Sequence, residues 1–386
     1  MLKKLFGFAL PGIFIMLLSA ACELGNQTEN EKPHSISIMT WNLQALFDGI
    51  DNGSEYDDYL MSAGWSNDKY LGRISIVSKA LNDMDVMPDI IAFQEIESEI
   101  VINDLAASLK RYKWTHFANA PNMSLGVGVI SRFPIIESKA HSISNFGDTS
   151  PRPVLELRIC VNPSKKPCEG IDSESCHSGE NSIILFVCHW KSKLGGEDLT
   201  EAGRRASARI ILRRIRELVE QEPELPVIVL GDLNENHDEF YRRNGEVICA
   251  LLPDDPRCAE LTGFVNMDSI NGITSAKLQK DFFILSKNKP PQARYFTGEP
   301  LVFYSPWGSE LNNGSYYYKN AWETIDHFLL THQFFNQKEL EFDSCKVLDY
   351  PPFASTAGRP MAYNPRTGYG LSDHLPLLLY LKRDLD

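Results

Sequence analysis

The sequence has no surplus of basic residues. Its 38 lysines and arginines are outnumbered by 51 aspartates and glutamates, so the formal net charge is −13 at pH 7. A chain with this charge is poorly suited to coat a polyanion nonspecifically. The charge does not exclude nucleic acid as a substrate, because a local basic groove or bound cations can invert the field at one site. The binding partner must therefore be inferred from a local site.

The sequence also lacks an internal repeat, a close Cys-x-x-Cys pair and an apolar run long enough to cross a membrane. Without a Cys-x-x-Cys pair, a zinc site among the cysteines is disfavoured. The apolar run Leu5–Leu18 is too short and wrongly flanked to be a stable membrane span. With 43% apolar residues, the chain is long enough for one large α/β domain or two smaller ones, and we favour one.

The N-terminus has the plan of an export signal, with Lys3 and Lys4 before the apolar run and small residues after it. The ending Leu-Ser-Ala-Ala-Cys resembles a bacterial lipobox, which would make Cys22 the lipidated first residue; the alternative is an ordinary signal peptide with Cys22 incidental. We expect a signal peptide at 1–21, a polar tether at 22–34 and the folded domain at 35–386. These features predict an exported protein of the bacterial cell envelope, lipid-anchored in the periplasmic or the surface leaflet.

The cysteines other than Cys22 are odd in number, so at least one thiol stays unpaired even where export permits disulfides. Cys249 and Cys258 bracket a short Pro-containing loop and are a plausible pair. Disulfides that staple the loop are also expected around the polar insertion Asn162–Asn181. Cys168 and Cys176 lie within this insertion, and Cys160 and Cys188 flank it.

Apolar periodicity predicts strands alternating with helices early in the chain and mainly strands later. This order predicts an α/β fold in which two sheets pack together with helices outside. The segment Phe47–Lys69 is expected to be a loop, and the pattern is poor between 235 and 321. The predicted helices are Tyr70–Leu81, Ile100–Leu109 and Glu201–Val219, and the predicted strands are His34–Trp41, Asp89–Gln94, Gly126–Ser131, Pro134–Ile136, Val154–Cys160, Ile183–Cys188, Pro226–Leu230, Trp322–Leu330 and Leu375–Leu381.

Polar or ionisable side chains stand at the ends of many of these strands. Loops at strand ends are where scaffolded sites sit, and so many acids and histidines there are hard to obtain by chance. An acid beside a histidine can hold a divalent cation and contact a phosphoryl oxygen, provided that other acids converge on it. The residues are Asn42, Glu95, His189, Asp232, Asn234 and the pair Asp373-His374, with Asp326 inside a further strand.

In this order the motifs resemble those of the endonuclease/exonuclease/phosphatase superfamily, which includes DNase I-like nucleases, sphingomyelinases and inositol polyphosphate phosphatases. The resemblance spans roughly residues 35–381 and implies a DNase I-like four-layer sandwich of two packed mixed β-sheets flanked by helices. The matching motifs are Thr-Trp-Asn at 40–42, Phe-Gln-Glu at 93–95, Ser-Arg-Phe-Pro at 131–134, Cys-His-Trp at 188–190, Gly-Asp-Leu-Asn at 231–234, Ile-Asp-His at 325–327 and Ser-Asp-His-Leu-Pro at 372–376.

The resemblance also implies roles for the site residues. Glu95, Asn42 and Asp373 would hold a catalytic Mg²⁺, with Mn²⁺ or Ca²⁺ as other options. Asp232 would orient or deprotonate the attacking water, and Asn234 would hold a phosphoryl oxygen or a second ion. His374 would contact the scissile phosphate, Asp326 would orient His374 and raise its pKa, and His189 would assist at the phosphate or the leaving oxygen.

Each residue also has an ordinary structural explanation. Glu95 could be a helix N-terminal acid, Asp232 and Asn234 an Asx-turn, and His189 a core histidine. An unpaired carboxylate at Asp326 would be costly in an apolar run, so a partner is expected there. Lys191, Lys193 and Arg204, with Arg205, could grip substrate phosphate or could form a solvated helix face.

The aromatic segment Tyr295–Trp322 could stack unpaired bases, dip into a bilayer, or pack in the core. The inositol phosphatase branch usually has Cys-Asp-Arg where this chain has Thr324-Ile325-Asp326, which disfavours that branch. We favour a monomeric, exported nuclease that acts on DNA or RNA. The alternatives are a phosphodiesterase or phosphatase for phospholipid or small phosphoesters, and a catalytically silent surface-binding lipoprotein.

Overall fold

The computed structural model describes residues 35–121, 123–143, 152–161, 181–258, 281–290, 302–338 and 340–383. The predicted signal peptide, Cys22, the tether and most of the cysteine-rich insertion lie outside the described residues. Pro33–Asp386 forms one compact unit. None of the helices in the described ranges is both long and apolar enough to cross a bilayer.

The first sheet has six strands and is mixed, with β1 parallel to β2 and antiparallel to β16. Numbered in chain order, its strands are β1 (Ser35–Leu46), β2 (Ile90–Ile96), β3 (Trp114–Ala118), β4 (Gly126–Ser131), β15 (Glu341–Val347) and β16 (Leu377–Lys382). They lie in the order β15-β16-β1-β2-β4-β3.

The second sheet has eight strands in the order β5-β6-β7-β8-β14-β11-β10-β9, and it is also mixed, with β7 parallel to β8 and β14 antiparallel to β8. Its strands are β5 (Ile135–His141), β6 (Val154–Cys160), β7 (Ser182–His189), β8 (Val227–Asp232), β9 (Leu251–Pro253), β10 (Phe283–Ser286), β11 (Val302–Tyr304) and β14 (Asp326–Leu330). A separate hairpin pairs β12 (Tyr316–Tyr318) with β13 (Ala321–Glu323).

The helices lie on the outer faces of the two sheets. Inward-facing side chains of both sheets, such as Ile38 and Leu185, share one buried cluster between them. The other face of the first sheet packs on α1 (Asn67–Asn82) and α2 (Glu99–Leu109), and the other face of the second sheet packs on α3 (Glu197–Gln221). This confirms the predicted four-layer sandwich of two mixed sheets flanked by helices. A further short α-helix in the described ranges is α4 (Glu239–Arg242).

Most predicted elements are present, but several boundaries were wrong. Helix α1 begins at Asn67 because the Ser66 hydroxyl accepts a hydrogen bond from Lys69 N and caps it, within a segment predicted to be loop. The predicted strand Trp322–Leu330 is two strands, β13 and β14, which belong to different sheets. Strands β3 and β15 were missed, as were the three- and four-residue strands β9 to β12, which are too short to show periodicity.

Two predictions about side chains were also wrong. Cys249 is a free thiol, so it forms no disulfide with Cys258, and Cys188 is a buried free thiol rather than a staple. Cys160 is disulfide-bonded.

In the aromatic segment, Phe303, Tyr304 and Trp307 are buried, so for this part of the segment core packing is the correct explanation.

Candidate active site

The polar strand ends converge at one edge of the sandwich because of the strand directions. His189 and Asp232 end the parallel strands β7 and β8 in register with each other. Asp326 starts the antiparallel strand β14 directly opposite Asp232. His374 precedes β16, whose first residue pairs with Thr40 of β1. Residues far apart in sequence are thus brought to a single site.

The sequence pattern placed Glu95 and Asn42 at the ends of their strands, and this prediction was wrong. Both residues lie at irregularities within the strands. Glu95 has φ of 62°, and the β2 register shifts between Gln94 and Ile96. Strand β1 shifts between Asn42 and Leu46. Such bulges redirect a side chain, and strained backbone is often found at functional sites. Here the two irregularities bring Asn42 Nδ2 within 3.2 Å of Glu95 Oε1, and Ala45 N donates to Glu95 Oε2 at 2.7 Å.

Asp232 occupies the centre of the site and is buried. Asn42 Nδ2 donates to its Oδ2 at 3.0 Å, and Asn234 N donates to its Oδ1 at 2.9 Å. Burial raises the pKa of Asp232 to about 7; the charge of His374 opposes this rise and that of Asp326 adds to it. A carboxylate with these properties can accept a proton from water near neutral pH. The hydrogen bond from Asn234 N to Asp232 Oδ1 forms an Asx-turn. Asp232 can therefore shape this turn and also orient water.

His374 and Asp326 form the predicted acid–imidazole dyad. Nδ1 of His374 donates to Asp326 Oδ2 at 2.8 Å, and both side chains are buried. Burial lowers the pKa of His374, but the charge and hydrogen bond of Asp326, with the charges of Asp373 and Asp232, outweigh burial and raise it to about 10. The Nε2 atom lies 4.0 Å from Asp232 Oδ2. The imidazole can therefore be held protonated beside the central carboxylate.

His189 lies on the other side of Asp232. Its Nε2 is 3.5 Å from Asp232 Oδ2 and 3.7 Å from Glu95 Oε1. Burial, then the charges of Arg152 and His374, hold its pKa well below the ordinary value. Its Nδ1 is buried without a hydrogen-bond partner among the described residues, which is unusual for a core histidine. His189 therefore faces the site as a neutral imidazole.

Asp373 completes the set of oxygen donors. Burial raises its pKa; the charge of His374 opposes this rise, and the charge of Glu95 adds to it. Glu95 and Asp373 are therefore close enough to repel each other, and the amide of Asn42 lies beside Glu95. The two carboxylates offer the hard oxygen ligands that Mg²⁺ or a similar dication prefers, whereas Asn42 turns its amide nitrogen to Glu95 and its Oδ1 accepts from Gln44 N at 2.9 Å. The residues present thus fit a divalent ion, which would also relieve the repulsion.

Another acid–histidine group, Asp232, Asp326 and His374, also has its ligand atoms within 4.8 Å of one another. In this group the bond between His374 Nδ1 and Asp326 Oδ2 already occupies an atom of each partner. We therefore assign it to proton transfer and not to metal binding.

Two of the predicted phosphate-gripping residues, Lys193 and Arg204, are engaged by carboxylates and are not free cations. Arg204 is only 1% exposed and bonds to two buried carboxylates, Glu235 at 2.9 Å and Glu201 at 2.6 Å. Lys193 Nζ lies 2.5 Å from Glu239. Arg204 is thus neither a substrate ligand nor part of a solvated face, and both interpretations were wrong for it. Lys191 supplies its backbone carbonyl to Arg204 at 3.3 Å.

Several site residues were missed in the sequence. Ser315 Oγ donates to Asp326 Oδ2 at 2.6 Å, and the ring of Tyr316 stacks on His374 with centroids 4.6 Å apart. Arg152 acts on both His189 and Tyr56 through its charge. Ser372 Oγ donates to Asn42 O at 2.6 Å, so its role is to shape the turn. The first three have no sequence signal, because each depends on a short strand or a loop.

The sequence matches the model of the Endonuclease/Exonuclease/phosphatase family over residues 37–287. The chain belongs to this family. The match ends before Asp326, Asp373 and His374, which the fold nevertheless joins to the family segment. A search of curated proteins finds no match.

Several solved structures are similar to this chain at low identity. A truncated Caenorhabditis elegans TDP2 has a TM-score of 0.48 at 12% identity, covering 90% of this chain and 97% of that one. A family protein from Bacteroides thetaiotaomicron has a TM-score of 0.47 at 15% identity, covering 92% and 100%. A mannosyl-6-phosphatase from the same species has a TM-score of 0.46 at 13% identity, covering 90% and 99%. Similarity at this level does not identify the substrate of this protein.

Family membership defines the class of reaction. The protein is a hydrolase of phosphoester bonds, and its family works with a divalent metal ion. The central carboxylate Asp232, the two imidazoles and the oxygen donors described above are the groups that such a reaction needs.

Proposed function

We propose that the protein is a Mg²⁺-dependent phosphodiesterase that cleaves nucleic acid by in-line attack of water. The observation that supports this most is the position of Asp232 Oδ2, which lies 3.5 Å from His189 Nε2 and 4.0 Å from His374 Nε2. In this arrangement the carboxylate can activate the attacking water while the two imidazoles contact the phosphoryl group.

Each residue has a distinct task in this proposal. Asp232 orients the water and takes its proton, and protonated His374 donates to a phosphoryl oxygen as negative charge develops. His189 contacts the phosphate or the leaving oxygen. Asn234 has one amide N–H beyond its bond to Trp190 O and gives it to the phosphate. Glu95 and Asp373 would hold the Mg²⁺, with Asn42 beside them orienting Glu95, and the ion would supply positive charge at the phosphoryl group.

Charge balance favours a diester over a monoester. Glu95, Asp232, Asp326 and Asp373 bring up to four negative charges to the site, of which His374 would offset one and the proposed Mg²⁺ two. A phosphomonoester carries close to two negative charges near neutral pH, whereas a diester carries one. The monoanion therefore meets less repulsion in this site.

The test is a substrate panel with the purified protein: single- and double-stranded DNA, RNA, sphingomyelin vesicles, bis(p-nitrophenyl) phosphate and p-nitrophenyl phosphate, each with Mg²⁺ and with EDTA. We expect Mg²⁺-dependent cleavage of nucleic acid, with the diester chromogen hydrolysed faster than the monoester. Asp232→Asn is the control for contaminating nucleases. Preferred turnover of sphingomyelin or of the monoester would contradict the proposal, and binding without turnover on any substrate would support a silent surface protein.

We also propose that the protein is exported and anchored to the envelope through a lipid on Cys22. The lipobox-like ending at Leu18–Cys22 supports this, as does the disulfide at Cys160, since disulfides persist in oxidising compartments. Labelled fatty acid should be incorporated into the wild type and not into Cys22→Ser. A soluble, unmodified mature wild type would contradict the anchor.

A further inference from the structure

The hairpin β12–β13 carries a row of stacked rings that begins at the dyad. The ring of Tyr316 stacks on His374 with centroids 4.6 Å apart and planes inclined by 29°. The ring of Tyr318 stacks on Tyr316 at 5.9 Å and 16°. Alternate residues of a strand point to the same side, which is why these two tyrosines align. His374, Tyr316 and Tyr318, here called the ring stack, lead from a buried imidazole to a side chain that is 49% exposed.

The ring stack is attached to the catalytic loop through the backbone. Tyr316 and His374 form an antiparallel bridge, and Leu375 N donates to Ser315 O at 2.7 Å. Ser315 N donates to Glu323 O at 3.0 Å across the hairpin. A Cβ at Gly314 would lie 2.5 Å from that same carbonyl, so only glycine permits this approach. The position of Tyr318 relative to His374 is thus fixed before any substrate arrives.

The other face of the hairpin is already occupied. Tyr317 packs edge-on against Trp322 with centroids 5.1 Å apart, and the guanidinium of Arg359 lies 4.3 Å from its ring centroid. The open face is therefore that of Tyr318. Lys319 Nζ lies over that ring, 5.1 Å from its centroid, so a planar group that stacks there displaces only a flexible side chain; no ion pair of Lys319 is found within the described ranges. An exposed ring next to an unneutralised cation suits a planar group that is attached to a phosphate.

We propose that Tyr318 is the stacking platform for one unpaired nucleobase next to the scissile phosphate, and that Lys319 meets a neighbouring phosphate of the same strand. This inference rests on the proposed nuclease function and narrows its substrate to single-stranded segments or ends, because a base paired in a duplex cannot present its face to the ring. Every base has a π-face, so the subsite requires an unpaired base but does not discriminate among the four bases.

The test compares oligonucleotides that carry either a base or an abasic residue beside the cleaved bond. Loss of one stacked base is expected to raise KM by about tenfold. The wild type should show this difference between the two oligonucleotides. Tyr318→Ala should raise KM about tenfold on the base-bearing strand and leave KM on the abasic strand within about twofold, so that the two strands become equivalent. Tyr318→Phe, which keeps the ring, should restore the difference.

Tyr350→Ala is the matched control, because Tyr350 is 46% exposed and its ring contacts Phe353 away from the ring stack. For Lys319→Ala, the salt dependence of binding should decrease by about 0.7 in log–log slope, as for one lost phosphate contact on a single strand. The inference fails if Tyr318→Ala affects both strands equally or neither of them. If the wild type cleaves no oligonucleotide at all, the nuclease function itself is wrong and the inference falls with it.

Discussion

One oxygen of Asp326 accepts hydrogen bonds from two side chains: Oδ2 lies 2.8 Å from His374 Nδ1 and 2.6 Å from Ser315 Oγ. We expect Asp326→Asn to lower kcat by about 100-fold or more, because the imidazolium loses its charged partner. Ser315→Ala should lower kcat by about tenfold, since it removes one hydrogen bond to a charged group. Steady-state kinetics on a phosphodiester, with thermal unfolding of each variant, provides the measurement.

Ser315 is a positioning residue, so its effect must be distinguished from loss of fold. Ser315→Thr keeps the hydroxyl and should recover part of the rate, whereas Ser315→Ala should not. Equal rates for the alanine variant and the wild type would show that Asp326 needs no second donor.

The metal assignment predicts that Glu95→Gln and Asp373→Asn weaken binding of Mg²⁺ or Mn²⁺ by about tenfold or more, because each removes a charged oxygen donor. Calorimetric titration with the metal alone gives this without any turnover. Asp58→Asn is the control, as Asp58 lies on the surface and pairs with Arg366 at 3.2 Å. Asp326→Asn should retain its metal affinity. A larger loss of affinity in Asp326→Asn than in Glu95→Gln would mean that the ion is held by the dyad instead.

The motifs named groups that the fold brings together, because chemistry constrains residue type. Asp232, His374 and Asp326 lie where an acid–imidazole site needs them, and alternation of apolar residues was enough to predict the strands that deliver them. The bulges at Asn42 and Glu95 were not predictable, since a register shift depends on pairing with a distant strand.

Other parts of the site could not be predicted for a related reason. Ser315 and Tyr316 reach the dyad through a three-residue strand, which shows no periodicity. Arg204 was wrongly assigned because the sequence shows its charge but not its burial or the two acids that surround it. Local pattern thus specifies which groups are present, and long-range pairing decides what each of them touches.

Gly231 is predicted to be indispensable to the Asp232 turn. Its φ is 123°, and a Cβ there would lie 2.1 Å from the carbonyl oxygen of Cys188 on the adjacent strand. Gly231→Ala should therefore destabilise the fold by roughly 2 kcal/mol or more and displace Asp232, with loss of activity. Chemical denaturation gives the free energy of unfolding.

Gly72→Ala is the matched control for this change, because Gly72 lies within α1 with no atom within 4 Å of the added Cβ. It should be neutral or stabilise by up to about 1 kcal/mol, as expected for alanine in a helix. Similar stabilities for the two alanine variants would show that the β8 backbone can relax around a side chain at 231.

The buried cluster around Arg204 is predicted to serve stability and not substrate binding. Arg204 bonds to Glu201 and Glu235 inside the protein, so Arg204→Ala leaves two buried carboxylates without their cation. The expected cost is about 3–5 kcal/mol in the free energy of unfolding. Arg213→Ala is the matched control, because Arg213 is an exposed arginine of the same helix and should change stability by no more than about 0.5 kcal/mol. If Arg204 gripped substrate, its alanine variant would instead keep its stability and raise KM. We expect the reverse for Arg204→Ala, namely a lower denaturation midpoint and an unchanged KM of the folded protein.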